Sequence, residues 1–144
     1  MIHMEFSRKK GETAKKTMER VLARVGRKVQ MGLYEVGGYI KTRSMEECPV
    51  DTDTLQSSAR MTSTGQGLST QVVVGFGGTD HPEVKAYSPK EGRWVKRKPS
   101  EYAVYVHEGT PGRGIESNPW LGRVVDGEQD QMRAVLNSTI QRTR

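Results

Sequence analysis

The stretch Glu101–Leu121 reads EYAVYVHEGTPGRGIESNPWL and is the most informative part of the sequence. It begins with aromatic and β-branched residues, passes through the glycine-containing turn 109–112, and ends at Asn118-Pro119-Trp120. Glycine suits a chain reversal because it tolerates positive φ at little steric cost. Asn118 and Pro119 indicate a helix start, since asparagine caps helices and proline suits the first helical position. The stretch predicts a packing and assembly element, without the spacing of a catalytic site.

The N-terminal third predicts a short strand and then one long helix. Apolar and polar residues alternate over residues 1–7, which is the period of a strand. From residue 12 to about residue 46, apolar residues recur at steps of three or four, which is the spacing of one helical face. Pro49 ends this helix, because the residue before a proline is steered away from helical angles. The apolar stripe consists of Met18, Leu22, Val25, Val29, Leu33, Val36 and Ile40.

The remaining segments predict a small sheet and a second helix. Residues 49–76 predict a turn followed by a β-hairpin, since QVVVGF at 71–76 has the composition of a strand. Residues 77–100 show no period and predict an extended loop that carries an exposed ribbon. Residues 119–142 predict a C-terminal helix, with a restart near Asp126 to Gln129, where the spacing is that of a capping box. The predicted fold is one α+β domain, 1–144, with both helices packed on a small, mainly antiparallel β-sheet.

The composition predicts a thin hydrophobic core. Leu, Ile, Val and Phe together make up 27 of the 144 residues, a fraction low enough for disorder to be considered. The apolar residues are nevertheless patterned, which a disordered chain does not require. These two facts fit a protein that buries further apolar surface in an assembly, and a small solvated monomer is the alternative.

Charge and cysteine content limit the partners and the compartment. The net charge is +6, and residues 1–43 carry 11 Lys and Arg against 4 Asp and Glu. Such asymmetry permits contact with nucleic acid without establishing it. Cys48 is the only cysteine, which excludes an intrachain disulfide and a cysteine-based metal site. No run approaches the ~20 apolar residues of a membrane span, so we expect no membrane partner and synthesis in a cytoplasm.

Three motifs, in this order along the chain, resemble the neck or tail-completion proteins of long-tailed bacteriophages and prophages. That family typically reads P-V-D-T-G-x-L, then Y-A-x-Y-V-E-x-G-T, then P-F-L at the start of a C-terminal helix. The present chain departs from this pattern at Asp53 in place of glycine, at His107 in place of glutamate and at Trp120 in place of phenylalanine. The three matching segments are Pro49-Val-Asp-Thr-Asp-Thr-Leu55, Tyr102-Ala-Val-Tyr-Val106 with Gly109-Thr110, and Pro119-Trp120-Leu121.

The resemblance implies a virion structural protein of the phage neck, made in the host cytoplasm, with no enzymatic activity, cofactor or metal. It implies a sixfold ring of identical subunits through which viral DNA passes, with non-specific DNA contact at most. Its neighbours would be the head connector or head-completion protein and the tail tube or tail terminator protein. The residues that would hold this structure by packing are Asp51, Thr52, Leu55, Tyr102, Tyr105, Gly109, Thr110, Pro119, Trp120 and Leu121.

Two basic segments are candidates for contact with DNA or with a partner protein. The first lies opposite the apolar stripe of the long helix, where it could meet phosphates, although an amphipathic helix needs a solvated charged face in any case. The second surrounds Trp94, whose ring suits base stacking, a protein interface or packing on its own sheet. Protein contact is favoured over nucleic acid there. The candidate residues are Lys16, Arg20, Arg24, Arg27, Arg93, Trp94, Lys96, Arg97 and Lys98.

Catalytic and metal-binding interpretations have less support. Asp51 and Asp53 lack the further ligands that an oxygen-rich metal site needs. His107-Glu108 lacks the second histidine, four residues away, of the zinc protease pattern. A basic nucleic-acid-binding protein is therefore the alternative function. An enzyme that uses Asp51, Asp53 or His107 comes third.

Overall fold

The computed structural model describes residues 10–49, 53–77, 84–88, 91–109 and 116–143. It has an α+β fold, as the sequence predicts. The predicted strand at residues 1–7 lies outside the described residues. In chain order the elements are α1 (Ala14–Glu47), α2 (Asp53–Ser57), β1 (Arg60–Thr64), a 3₁₀ turn (Gly67–Ser69), β2 (Gln71–Gly75), β3 (Val84–Ser88), β4 (Arg93–Arg97), α3 (Pro99–Glu108), α4 (Trp120–Gly127) and α5 (Gln129–Arg142).

The long N-terminal helix is confirmed. Helix α1 has 34 residues, which corresponds to a length of about 50 Å. Its N-cap is Thr13, whose side-chain oxygen accepts a hydrogen bond of 3.3 Å from the backbone N–H of Lys16. Its C-cap is Cys48, which is extended and immediately precedes Pro49.

Glycines mark the points where other elements approach α1 most closely. A Cβ atom built on Gly26 would lie 3.0 Å from the Cα atom of Gly67 in the 3₁₀ turn. One built on Gly32 would lie 2.5 Å from Cδ1 of Leu136 in α5. Both glycines are buried, so they allow the helix to be contacted by backbone on one side and by α5 on the other.

The described strands form two separate two-stranded antiparallel sheets. The β1–β2 hairpin has the register Thr62↔Val73 and turns Met61, Val72 and Val74 toward the body of the protein. At Gly37 of α1, a built Cβ atom would lie 2.4 Å from Cγ1 of Val72, so this face of the hairpin packs directly on the helix.

The prediction of an extended loop over residues 77–100 was wrong for most of its described part. The ribbon is a regular hairpin of β3 and β4, and Pro99 and Ser100 already belong to α3. The turn at Glu91 is completed by Gly92 with φ of 64°. The sequence analysis expected an exposed ribbon here but not its two strands, because β4 is rich in lysine and arginine and Trp94 and Val95 stand side by side without apolar alternation.

The core lies where the end of α1 and helices α2, α3 and α4 meet. It contains Cys48, Leu55, Ala103 and Trp120, and Phe76, Val106 and Leu121 pack against it. The C-terminal helix predicted over 119–142 restarts where expected, because Glu128 leaves helical geometry between α4 and α5. The capping box expected at 126–129 is not formed, since the N-cap of α5 is Glu128 and has no side-chain cap bond.

Candidate interaction surface

The three sequence motifs converge on the core. Leu55 comes from the first motif, Ala103 and Val106 from the second, and Trp120 with Leu121 from the third. Pro119 is the N-cap of α4 and makes no side-chain cap bond, so the prediction that Asn118 caps this helix with Pro119 as its first residue was wrong by one position. Asp51, Thr52 and Thr110 lie outside the described residues, and Tyr102 and Tyr105 are described only as backbone positions within α3.

Gly109 reverses the chain after α3. It has φ of 74°, and a Cβ atom there would lie 2.5 Å from the backbone nitrogen of Ser117. The next described segment returns to the helix end, where the N–H of Asn118 donates to the carbonyls of Val106 and His107 at 3.3 and 3.1 Å. Any side chain at position 109 would therefore be both strained and in conflict with the returning backbone.

Trp120 is the largest side chain of this cluster. It is 2% exposed. Phe76 contacts it edge to face with ring centroids 5.4 Å apart, and His107 does the same at 5.0 Å. The indole Nε1 and the His107 Nε2 are buried and find no hydrogen-bond partner within the described part of the chain. On the other side of its ring, His107 Nδ1 lies 2.7 Å from Oε1 of Glu108, within hydrogen-bonding distance.

A charged network joins the end of α1 to the break between α4 and α5. Arg43 binds the Glu128 carboxylate through Nη2 at 2.8 Å and through Nε, and Tyr39 also donates to that carboxylate. Arg123 of α4 pairs with Glu47 of α1 at 3.5 Å. The sequence analysis missed this network, because 85 residues separate Arg43 from Glu128 and no local pattern links them.

This network changes the proton affinities of its members. The hydrogen bonds from Arg43 and Tyr39 lower the pKa of the Glu128 carboxyl. The hydrogen bond to Glu128 raises the pKa of the Tyr39 hydroxyl. Both shifts favour the charged carboxylate, so the junction between the helices is held by an ionised Glu128 at neutral pH.

The candidate basic residues of α1 do not share one environment. Lys16, Arg24 and Arg27 are exposed on the helix. Arg20 is instead paired with Glu12 at 3.3 Å. Exposed cations therefore remain available on the N-terminal part of α1 for a negatively charged partner.

The β3–β4 hairpin carries the second group of candidate residues on two opposite faces. Arg93 and Arg97 both pair with Glu91, at 3.0 and 2.7 Å. Trp94 and Lys96 alternate with these arginines along β4 and so point to the other face. Trp94 is 66% exposed.

Lys85 and Lys98 are two further lysines in and beside this hairpin. Lys85 is exposed and is the register partner of Lys96, so the Trp94 face carries two lysines. Lys98 lies directly before α3, where its backbone N–H donates to the Glu101 carboxylate at 2.8 Å. The backbone of Lys98 thus takes part in capping α3.

Apolar side chains of α1 are only partly covered. The buried positions of the helix are Thr17, Gly26, Gly32, Gly37 and Ser44, none of which belongs to the predicted apolar stripe. Along the stripe, Met18 and Leu22 are half exposed, whereas the later members are partly buried. The N-terminal third of α1 therefore presents apolar surface among its cations.

Some kinds of site are not found in the described residues. No group of three His, Cys, Asp or Glu side chains there could hold a metal ion. No helix in those ranges combines the length and the apolarity needed to cross a bilayer. Comparison of the chain with protein-family models, with curated proteins and with solved structures gives no significant match.

Proposed function

We propose that the protein is a structural subunit of the neck of a long-tailed bacteriophage or prophage, which completes the tail and joins it to the head. In this proposal, identical subunits form a ring, expected to be sixfold, and viral DNA passes through its centre. The neighbours are a head connector or head-completion protein on one side and a tail tube or tail terminator protein on the other. The protein works without catalysis and without a cofactor, and it resides in the virion.

The observation that carries the proposal is the convergence of the three motifs. Leu55, Ala103 and Trp120 are far apart in the sequence, yet they belong to one buried cluster. The segments that resemble the neck proteins thus act as one structural unit. This supports the resemblance, because the resemblance implies that these segments hold the subunit together by packing.

The distribution of apolar surface supports assembly. Leu22 of α1, Leu68 of the 3₁₀ turn and Val73 of β2 are among the large apolar side chains that remain exposed. A subunit with a small core and an incompletely covered long helix gains stability when neighbours cover that surface. The work of such a protein is the closure of a ring, in which burial of apolar surface provides the driving force.

Deletion of the gene in the phage or prophage that encodes the chain tests the proposal. We expect DNA-filled heads and complete tails that do not join, and rescue by the wild-type chain supplied from a plasmid. Electron microscopy of the lysate measures both results. Normal numbers of joined, infectious particles after deletion would refute the proposal.

A second candidate function, nucleic-acid binding, is favoured by the hairpin face with Trp94, Lys85 and Lys96. An exposed indole beside lysines can stack on bases while the cations meet phosphates. Titration of the chain with duplex and single-stranded DNA over a range of salt concentrations separates the two functions. Tight binding by a stable monomer, with an affinity that falls steeply with salt, would favour this second function.

A further inference from the structure

We propose that the outer face of the β3–β4 hairpin, defined by Lys85, Trp94 and Lys96, is a docking surface for an acidic segment of another protein. The segment carries Asp or Glu side chains around an aromatic or aliphatic one. Its carboxylates bind the two lysines, and its apolar side chain lies on the indole. This goes beyond the proposed neck function, because it assigns a partner chemistry to one surface and depends on neither a ring nor a phage.

The first observation is that the two faces of the hairpin differ in burial. Successive side chains of a strand point to opposite faces, so Trp94 and Lys96 lie on the outer face and Val95 and Arg97 on the inner face. Val95 and Arg97 are partly buried. Trp94, Lys96 and Lys85, which is the register partner of Lys96, are exposed. The outer face therefore points to solvent, where a partner can reach it.

The second observation is that the charges are balanced on the inner face only. Arg93 and Arg97 both pair with Glu91, at 3.0 and 2.7 Å. On the outer face, Lys85 and Lys96 stand directly opposite each other, and no carboxylate of the described residues forms an ion pair with either. Like charges in this position destabilise an antiparallel pair of strands. The stability of the hairpin does not explain the two lysines, whereas an acidic partner does.

The third observation is that the outer face also offers an apolar contact. Trp94 is two positions from Lys96 along β4, and its side chain is 66% exposed. Tryptophan is enriched among the residues that dominate the affinity of protein interfaces, because its large and rigid ring buries much apolar area. An exposed indole beside surplus positive charge therefore fits a segment with both apolar and acidic side chains.

A protein segment fits this face better than a nucleic acid does. Two lysines neutralise two phosphates, which corresponds to a slope of only about −1.8 when the logarithm of the affinity for duplex DNA is plotted against that of the salt concentration. Arginine is the side chain best suited to bidentate contacts with phosphate. Both arginines of β4 lie on the inner face, where Glu91 binds them. A nucleic acid on the outer face would therefore lack its strongest contacts.

Fluorescence anisotropy with labelled polymers tests the inference. The probes are a random copolymer of glutamate and tyrosine, polyglutamate, and single-stranded DNA, matched in charge. Lys85→Glu removes the net positive charge of the outer face and places opposite charges across the strands, so the hairpin should be at least as stable as before. Lys16→Glu makes the same change in net charge at an exposed position of α1 and is the matched control. Circular dichroism checks the folding of each variant.

We expect the wild type to bind the copolymer more tightly than polyglutamate or DNA. Lys85→Glu should weaken binding of the copolymer at least about fivefold without loss of stability. Lys16→Glu should change it by less than about twofold, because a distant exposed charge is screened by salt. Trp94→Ala should remove the preference for the copolymer over polyglutamate, because the indole is the group that contacts tyrosine.

Four results would overturn the inference. The first is binding of the copolymer by Lys85→Glu at wild-type strength. The second is an equal loss in Lys16→Glu, which would mean that the attraction comes from the net charge of the whole chain. The third is tighter binding of DNA than of both acidic polymers, and the fourth is a wild type that binds none of the probes. The gene deletion described above decides the neck proposal separately, since no result here depends on it.

Discussion

Replacement of Trp120 by alanine should destabilise the fold by about 3–5 kcal/mol, the range typical of a buried tryptophan replaced by alanine. The side chain is 2% exposed, so almost its whole apolar surface is lost from the core. The edge-to-face contacts with Phe76 and His107 are lost as well, and each such aromatic pair contributes about 0.5–1.5 kcal/mol. Nε1 has no partner among the described residues, so the loss of a hydrogen bond adds nothing to this value. The expected value therefore lies in the upper part of the range.

Urea unfolding followed by circular dichroism measures this loss, because the helical signal does not depend on the removed indole. A loss of this size should lower the melting temperature by roughly 10 °C. Wild type and variant are compared at one protein concentration, since association would stabilise the folded state by mass action. Trp94→Ala is the matched control. Its side chain is mostly exposed, and we expect a change below about 1 kcal/mol.

The reasoning would be refuted if Trp120→Ala unfolded within about 1 kcal/mol of the wild type. It would also be refuted if the Trp94 control were destabilised equally. Either result would mean that the cluster formed by the three motifs does not hold the fold together.

Three further predictions concern the helix, the charged junction and the cysteine. Gly37→Ala should destabilise by about 1–3 kcal/mol, because its Cβ atom would lie 2.4 Å from Val72, whereas Gly38→Ala, with open space around it, should stabilise by up to about 1 kcal/mol in urea unfolding. The carboxyl of Glu128 has a lowered pKa in the folded state, so its contribution is present above its unfolded pKa and is lost as the pH falls through the folded value. Melting temperatures between pH 7 and pH 3 should therefore fall more in the wild type than in Glu128→Gln. Burial raises the pKa of the Cys48 thiol to about 11, so a thiol reagent at pH 8 should react with it only after unfolding.

The outcomes that would contradict these predictions are specific. Equal effects of the two glycine substitutions would show that the hairpin does not press on α1 at Gly37. Parallel pH profiles for wild type and Glu128→Gln would show that the junction does not depend on the ionised carboxylate. Rapid reaction of Cys48 in the native protein would contradict its burial.

The sequence predicted the fold class because its strongest signals are long and periodic. Apolar residues at helical spacing, ended by Pro49, define α1, and the strand pattern of residues 71–76 defines half of the first hairpin. The strands of the second hairpin could not be predicted, since β4 is rich in lysine and arginine and has no apolar alternation. The role of the glycines of α1 could not be predicted either. Their contacts with the 3₁₀ turn, α5 and β2 depend on the tertiary structure, which the local sequence does not show.

The candidate site was predictable only in part. The resemblance to the neck proteins pointed to Trp120 as an aromatic anchor, in place of their phenylalanine. It did not show that His107 would lie against the indole, since this contact depends on the return of the chain after Gly109. The pairing of Arg43 with Glu128 could not be predicted from the sequence either, because only the folded chain brings the end of α1 to the break between α4 and α5.

The β3–β4 hairpin meets the rest of the protein mainly where β3 contacts α3. A ribbon attached in this way can be lengthened, shortened or exchanged for another sequence while the core around Trp120 keeps its shape. Proteins that share this core could therefore acquire a new binding specificity by replacement of this one hairpin. The turn at Glu91 and Gly92 is, for the same reason, the natural place to graft a short epitope for locating the protein inside an intact particle.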